Sequence, residues 1–172
     1  MKLLEILAKE MEQEAVTTRK MLSRIPNDKF DWQPHELSMT IERLSNHIAE
    51  LPGWVDMILN TPELDFENNP YQATTYDNTD DLLEFFEAKL QDGLNALKEA
   101  QEDELEGEWT LRRGDVILQR SNKLEFIRHT FCQIVHHRAQ MGVYLRLLDV
   151  PIPGSYGPSG DEMRARAAAV AS

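Results

Sequence analysis

One cysteine, Cys132, stands in 172 residues. It has no partner for an intramolecular disulfide, and its isolation excludes any CxxC zinc or redox motif. Long apolar runs are missing too. No stretch approaches the roughly 20 residues that a membrane-spanning helix needs, so an integral membrane protein is not expected. Positive charge is scarce: 18 Lys and Arg face 30 Asp and Glu, for a formal charge of -12. Nucleic acids and anionic membrane surfaces attract cationic partners through counterion release, so neither is an expected partner. The first residues begin apolar but carry Glu5, Lys9, Glu10 and Glu12. No small-residue cleavage site follows, so no secretory signal is expected and the cytoplasm is the expected location. Any chemistry falls to the histidines and carboxylates.

Hydrophobic residues make up 41% of the chain and charged residues 28%, an ordinary globular balance. A chain of this size buries roughly 70% of the surface its unfolded form exposes. One domain is therefore expected.

Four segments repeat apolar residues at helical spacing. The first, residues 1–25, carries Leu4, Leu7, Met11, Ala15, Thr18, Leu22 and Ile25, with neither Gly nor Pro until Pro26. The second begins near Ser38 and carries Ile41, Leu44, Ile48, Leu51, Val55 and Ile58. Pro52-Gly53 lies inside that pattern and predicts a kink rather than a stop. The third starts at Thr79, read as an N-cap before Asp80 and Asp81, and runs to about Ala100. The fourth spans residues 122–148, with Leu124, Ile127, Phe131, Ile134, Met141, Leu145 and Leu148 on its apolar side. Residues 61–78 read as a long loop. In the connection over 101–121, 109–111 and 116–118 can pair as a short hairpin. The sum is an all-α fold, a helical bundle with long interhelical connections.

The five histidines lie in or beside two of these helices. His47 sits between Leu44 and Leu51 on an apolar stripe. On the fourth helix His129, Gln133 and His137 are spaced i, i+4, i+8, so each is offset by only about 40° from the next and all three share one face. Such a face admits two readings. Histidines on an apolar helix face commonly serve as hydrogen-bonded core residues. Bundles also build metal sites from side chains converging from facing helices, and neutral imidazole suits zinc, nickel, iron and copper.

Further motifs cluster around these positions. One is His136-His137-Arg138-Ala139-Gln140, followed by Val143-Tyr144-Leu145-Arg146 and by the stretch from Tyr156-Gly157-Pro158 to Gly160-Asp161-Glu162. Another comprises Trp32-Gln33-Pro34-His35, Ser38-Met39-Thr40 and the run from Asn46-His47 to Gly53-Trp54. Over residues 1 to about 162 the sequence resembles the DinB/YfiT-like superfamily, which implies a single domain over residues 1–162 and a C-terminal tail at 163–172.

The resemblance implies a four-helix bundle of up-down-down-up connectivity and a homodimer. It also implies a divalent metal, zinc or nickel, held by one histidine of helix two and two of helix four. Carried over by position, the ligands are His47, Gln133 and His137. The family's usual residue at the middle position is histidine, so this chain departs from the pattern there. Three outcomes stay open at that position: weak binding through Gln133 Oε1, its replacement by His129 or water, or loss of the metal. The activities implied are a thiol-dependent S-transferase or a metal-dependent hydrolase. In these the ion activates a low-molecular-weight thiol or water against a small electrophilic substrate. The alternative is a non-catalytic, stress-associated dimeric bundle with a degenerate metal site.

Several residues carry expectations of their own. Arg138 lies on the helix seam and needs a carboxylate, with Glu50, Asp161 and Glu162 as candidates. Gln140 is either an amide satisfied at a helix interface or a group orienting a ligand. His136 is expected at the surface, and His35 bonded to backbone. Trp32, Met39 and Trp54 either pack in the core, the favoured reading, or line a pocket, and Cys132 is expected as a small buried hydrophobe with no histidine or lysine to activate it. Arg112, Arg113, Arg120 and Arg128 face a preceding acidic run and are expected to attract it, within one chain or across a dimer.

Overall fold

The computed structural model describes residues 2–68 and 75–171. Four long helices, α1 (Leu3–Leu22), α2 (Ile41–Asn60), α3 (Thr79–Glu99) and α4 (Lys123–Leu147), carry the core. α1 and α2 each pack on both α3 and α4. Their predicted apolar stripes face one another: Leu7 and Leu22 of α1, Leu44, Ile48 and Val55 of α2, Leu82 and Phe86 of α3, and Ile127, Met141 and Leu145 of α4 are all buried. No helix among the described residues is long and apolar enough to cross a membrane.

The helix ends follow local chemistry. Thr40 Oγ1 caps α2 by accepting from Arg43 N, and Asn122 Oδ1 caps α4 by accepting from Glu125 N. α1 is capped across the fold: the Glu102 carboxylate accepts from Leu3 N and Leu4 N at 3.2 and 3.0 Å, placing negative charge at the positive end of the helix. For α3 the cap is Asn78, not Thr79. Asn78 Oδ1 accepts from Asp81 N, while the Thr79 hydroxyl donates to Ile25 O and leaves the cap to its neighbour. α2 continues through Pro52 unbroken. Beside it, Gly93 of α3 lies so close to the Pro52 carbonyl that any Cβ would collide with it, which lets the two helices approach closely.

The fold is mostly helical, but the all-α expectation needs correction. A three-stranded sheet, β1 (Glu63–Asp65), β2 (Glu108–Arg113) and β3 (Val116–Asn122), closes one end. β2 and β3 form the anticipated hairpin with longer strands, turning at Gly114 with φ 55°. β1 falls inside the segment read as loop and pairs parallel to β2, Leu64 opposite Leu111. Asp65 ties the junction by accepting from Glu67 N and Gly114 N, each at 2.9 Å, and these donors hold its carboxyl far below the usual range. Trp109 of β2 is fully buried edge-on to Phe126 of α4 and donates to Thr61 Oγ1, which fastens the sheet to the helices.

The tail forms a last helix, α5 (Gly160–Ala171), with no buried residue. It is moored at its start: Asp161 pairs with Arg146 of α4 and accepts from Ile152 N, while Glu162 accepts from Gly154 N and Ser159 N. Of the arginines after the acidic run, Arg120 pairs with Glu108 and Arg112 with Glu63 and Asp65, all within the chain.

Candidate metal centre

His47 and His137 face each other. The stripe of α2 turns His47 toward α4, and the two rings lie 4.9 Å apart, edge to face at 71°. Each imidazole is oriented from behind. His47 Nδ1 donates to Glu50 Oε1 at 2.6 Å, and Glu50 is itself buried. His137 Nδ1 lies 2.8 Å from Gln140 Oε1 one turn on. Acceptors on Nδ1 select the tautomer whose lone pair is on Nε2, the form that binds a cation.

On the other side of His137, Nε2 lies 2.7 Å from Gln133 Oε1, and Gln133 Nε2 lies 3.1 Å from His129 Nε2. A spine of His129, Gln133, His137 and Gln140 thus runs along α4. His137 is buried, and its pKa is lowered chiefly by that burial. The His47 and His136 rings add to the lowering, against the opposing Gln140 bond. The ring is therefore neutral near pH 7. With Nδ1–H donated to Gln140, its Nε2 and Gln133 Oε1 are two acceptors in contact, an arrangement that a cation relieves.

His47, Gln133 and His137 are the residues able to hold a divalent ion here, through two imidazole nitrogens and one amide oxygen. Among the described residues no three His, Cys, Asp or Glu converge in a metal-binding group, so any third donor to an ion here would be of another type. Beside His47 a cavity of about 540 Å³ is lined by Met39, Glu42, Arg43, Asn46, Glu50 and Thr75. Asn46 is buried and exchanges hydrogen bonds with the backbone of Tyr76, which fastens the chain beyond the loop to α2. Sequence reasoning missed the roles of Asn46 and Glu50. The spacing of Glu50 one turn after His47 carried a signal for the second.

The remaining predicted residues divide. His136 is exposed, and His35 Nδ1 accepts from Leu37 N, both as expected. Trp32 and Trp54 are half-buried against the core cluster. Arg138 is buried as anticipated but has a different partner, Glu14 of α1 at 2.6 Å. It also donates to Thr18 Oγ1 and Tyr156 Oη. Glu50 is taken by His47 and Asp161 by Arg146, because Arg138 points toward α1 rather than α2. Cys132 is exposed, not buried, since it lies on the solvent side of α4. It lines a cavity of about 300 Å³ with Arg128 and His136, its neighbours one turn either way.

The model of the DinB family matches residues 1–168. No curated protein matches the chain. Among solved structures, a DinB-like protein of Bacillus subtilis is 17% identical, with a TM-score of 0.68 over 87% of this chain and 96% of that one. A DinB-like protein of Bacillus cereus is 18% identical, with a TM-score of 0.68 over 88% and 97%. At these identities the likeness establishes the fold.

Proposed function

The chain belongs to the DinB family, and on that premise we propose that His47, Gln133 and His137 form a divalent-metal centre of an enzyme acting on a small electrophilic molecule. The observation carrying this reading is the pair of imidazoles from α2 and α4, 4.9 Å apart, each with an acceptor within hydrogen-bond distance of its Nδ1. Zinc and nickel are among the ions that imidazole donors suit. An ion there would lower the pKa of a thiol or of water and so supply a nucleophile at neutral pH. This makes thiol-dependent S-transfer or hydrolysis the reaction class. In this reading Glu50 and Gln140 hold the two Nδ1 protons and aim the Nε2 lone pairs, and Gln133 offers its carbonyl oxygen. The cavity beside His47 receives the substrate. Its Arg43 and Glu42 offer opposite charges to polar substituents, and Met39 offers an apolar wall. A cytoplasmic homodimer of up-down-down-up four-helix bundles completes the reading. The bundle part of this reading is supported by the packing of α1 and α2 on both α3 and α4.

The test is metal content per chain in protein purified without a His tag or chelator, alongside His137→Ala. Near-stoichiometric metal that disappears in the variant is the expected result, and it justifies screening low-molecular-weight thiols against electrophiles. Absence of metal after addition of zinc, nickel and manganese would favour the second reading, a non-catalytic dimeric bundle with a degenerate site. The amide of Gln133 in place of a third imidazole is the observation on its side.

A further inference from the structure

The amide of Gln133 has two ends of nearly equal size, and only its oxygen can serve as a metal ligand. The backbone of α4 does not choose between them. A neutral His137 with a lone pair on Nε2 would by itself draw the amide nitrogen, which would leave the site without its third donor. His129, one turn earlier on the same face, opposes this in the tautomer whose Nε2 carries the lone pair. Its Nε2 lies 3.1 Å from Gln133 Nε2, and Gln133 Oε1 lies 2.7 Å from His137 Nε2.

We propose that His129 is a positioning residue: it accepts a hydrogen bond from the Gln133 amide nitrogen and so holds the carbonyl oxygen toward His137 and the metal position. The inference rests on the metal-centre reading above. His129 is exposed, so it serves this purpose without contributing to the core. A histidine at position 133 would need no such partner, because it can present a ring nitrogen by rotation. The His129 contact therefore compensates for the one departure from the three-histidine pattern.

The experiment is zinc affinity of the full-length chain, measured by competition with a chromogenic chelator, with melting temperature recorded in parallel. His129→Ala should weaken zinc binding by about tenfold, the lower end of the range for residues supporting a ligand, while leaving the melting temperature of metal-free protein unchanged. His129→Gln, whose carbonyl can accept the same hydrogen bond, should recover most of the loss. In a Gln133→His background, adding His129→Ala should change affinity less than about twofold. If the parent chain binds zinc and His129→Ala binds it equally well, the positioning role is wrong and the metal centre stands. Failure of His129→Gln to rescue would likewise overturn it. If the parent takes up no zinc while Gln133→His does, the metal reading fails for this chain, and this inference fails with it.

Discussion

His137 and Arg138 are neighbours on α4, and each is the centre of a buried polar cluster, yet the two clusters differ in kind. Around Arg138 every partner complements the charge. The Glu14 carboxylate lies at 2.6 Å and Thr18 Oγ1 at 3.0 Å, with Tyr156 Oη at 2.9 Å bridging back to Glu14. Around His137 the groups are neutral, and acceptors lie within hydrogen-bond distance of both ring nitrogens. The first cluster is closed and joins α1, α4 and the tail. The second lies beside the His47 cavity, where the proposed metal centre would sit. A buried network that satisfies itself is structural, whereas one that leaves acceptors converging is suited to a ligand.

The contrast can be broken from either side. Arg138→Met leaves the Glu14 carboxylate without its cation and should destabilise the fold by about 3 kcal/mol or more, read by chemical denaturation. His137→Ala should cost less stability than that but abolish metal uptake, read by metal analysis on folded protein. Equal destabilisation by the two variants, with no change in metal content, would erase the distinction drawn here.

Acid sharpens it further. The folded pKa of His137 is lowered by burial, so below about pH 6.5 the unfolded chain takes up a proton that the folded chain resists. Stability of metal-free protein is full above that pH and should fall as pH drops below it, and His137→Gln should flatten this slope in a pH series of melting curves. The smallest effect belongs to the tail. The Asp161 carboxyl, held by Arg146 and Ile152 N, is lowered to about 2. Its contribution is present above the usual aspartate range and is lost as pH falls toward that value. Asp161→Asn should accordingly speed hydrogen exchange over residues 152–171 at neutral pH and leave the His47–His137 region unchanged.

The helices and the inward direction of His47 and His137 were legible in the amino-acid pattern because helical periodicity is local. Leu44 and Leu51 determine which way His47 faces, and a four-residue step determines which positions share a face with His137. The capping of α3 was misread by one residue. Asn78 and Thr79 are both good caps, and the choice was made by Ile25, whose carbonyl takes the Thr79 hydroxyl. β1 was missed because a three-residue strand has too little pattern to announce itself. It exists through its pairing with β2, far away along the chain. The buried position of Arg138 was readable, but its partner was not, since several carboxylates were equally available to a linear reading.

By itself the sequence determined the four helices, the placement of two imidazoles on their inward faces, the substitution of Gln133 for a third, and an acidic chain with one cysteine. These follow from composition and from periodicities of a few residues. Tertiary structure decided the sheet, the Glu14–Arg138 pair and the approach of His47 to His137. Each of those depends on which groups meet across the fold, and burial and hydrogen-bond competition select among partners that are equivalent along the chain.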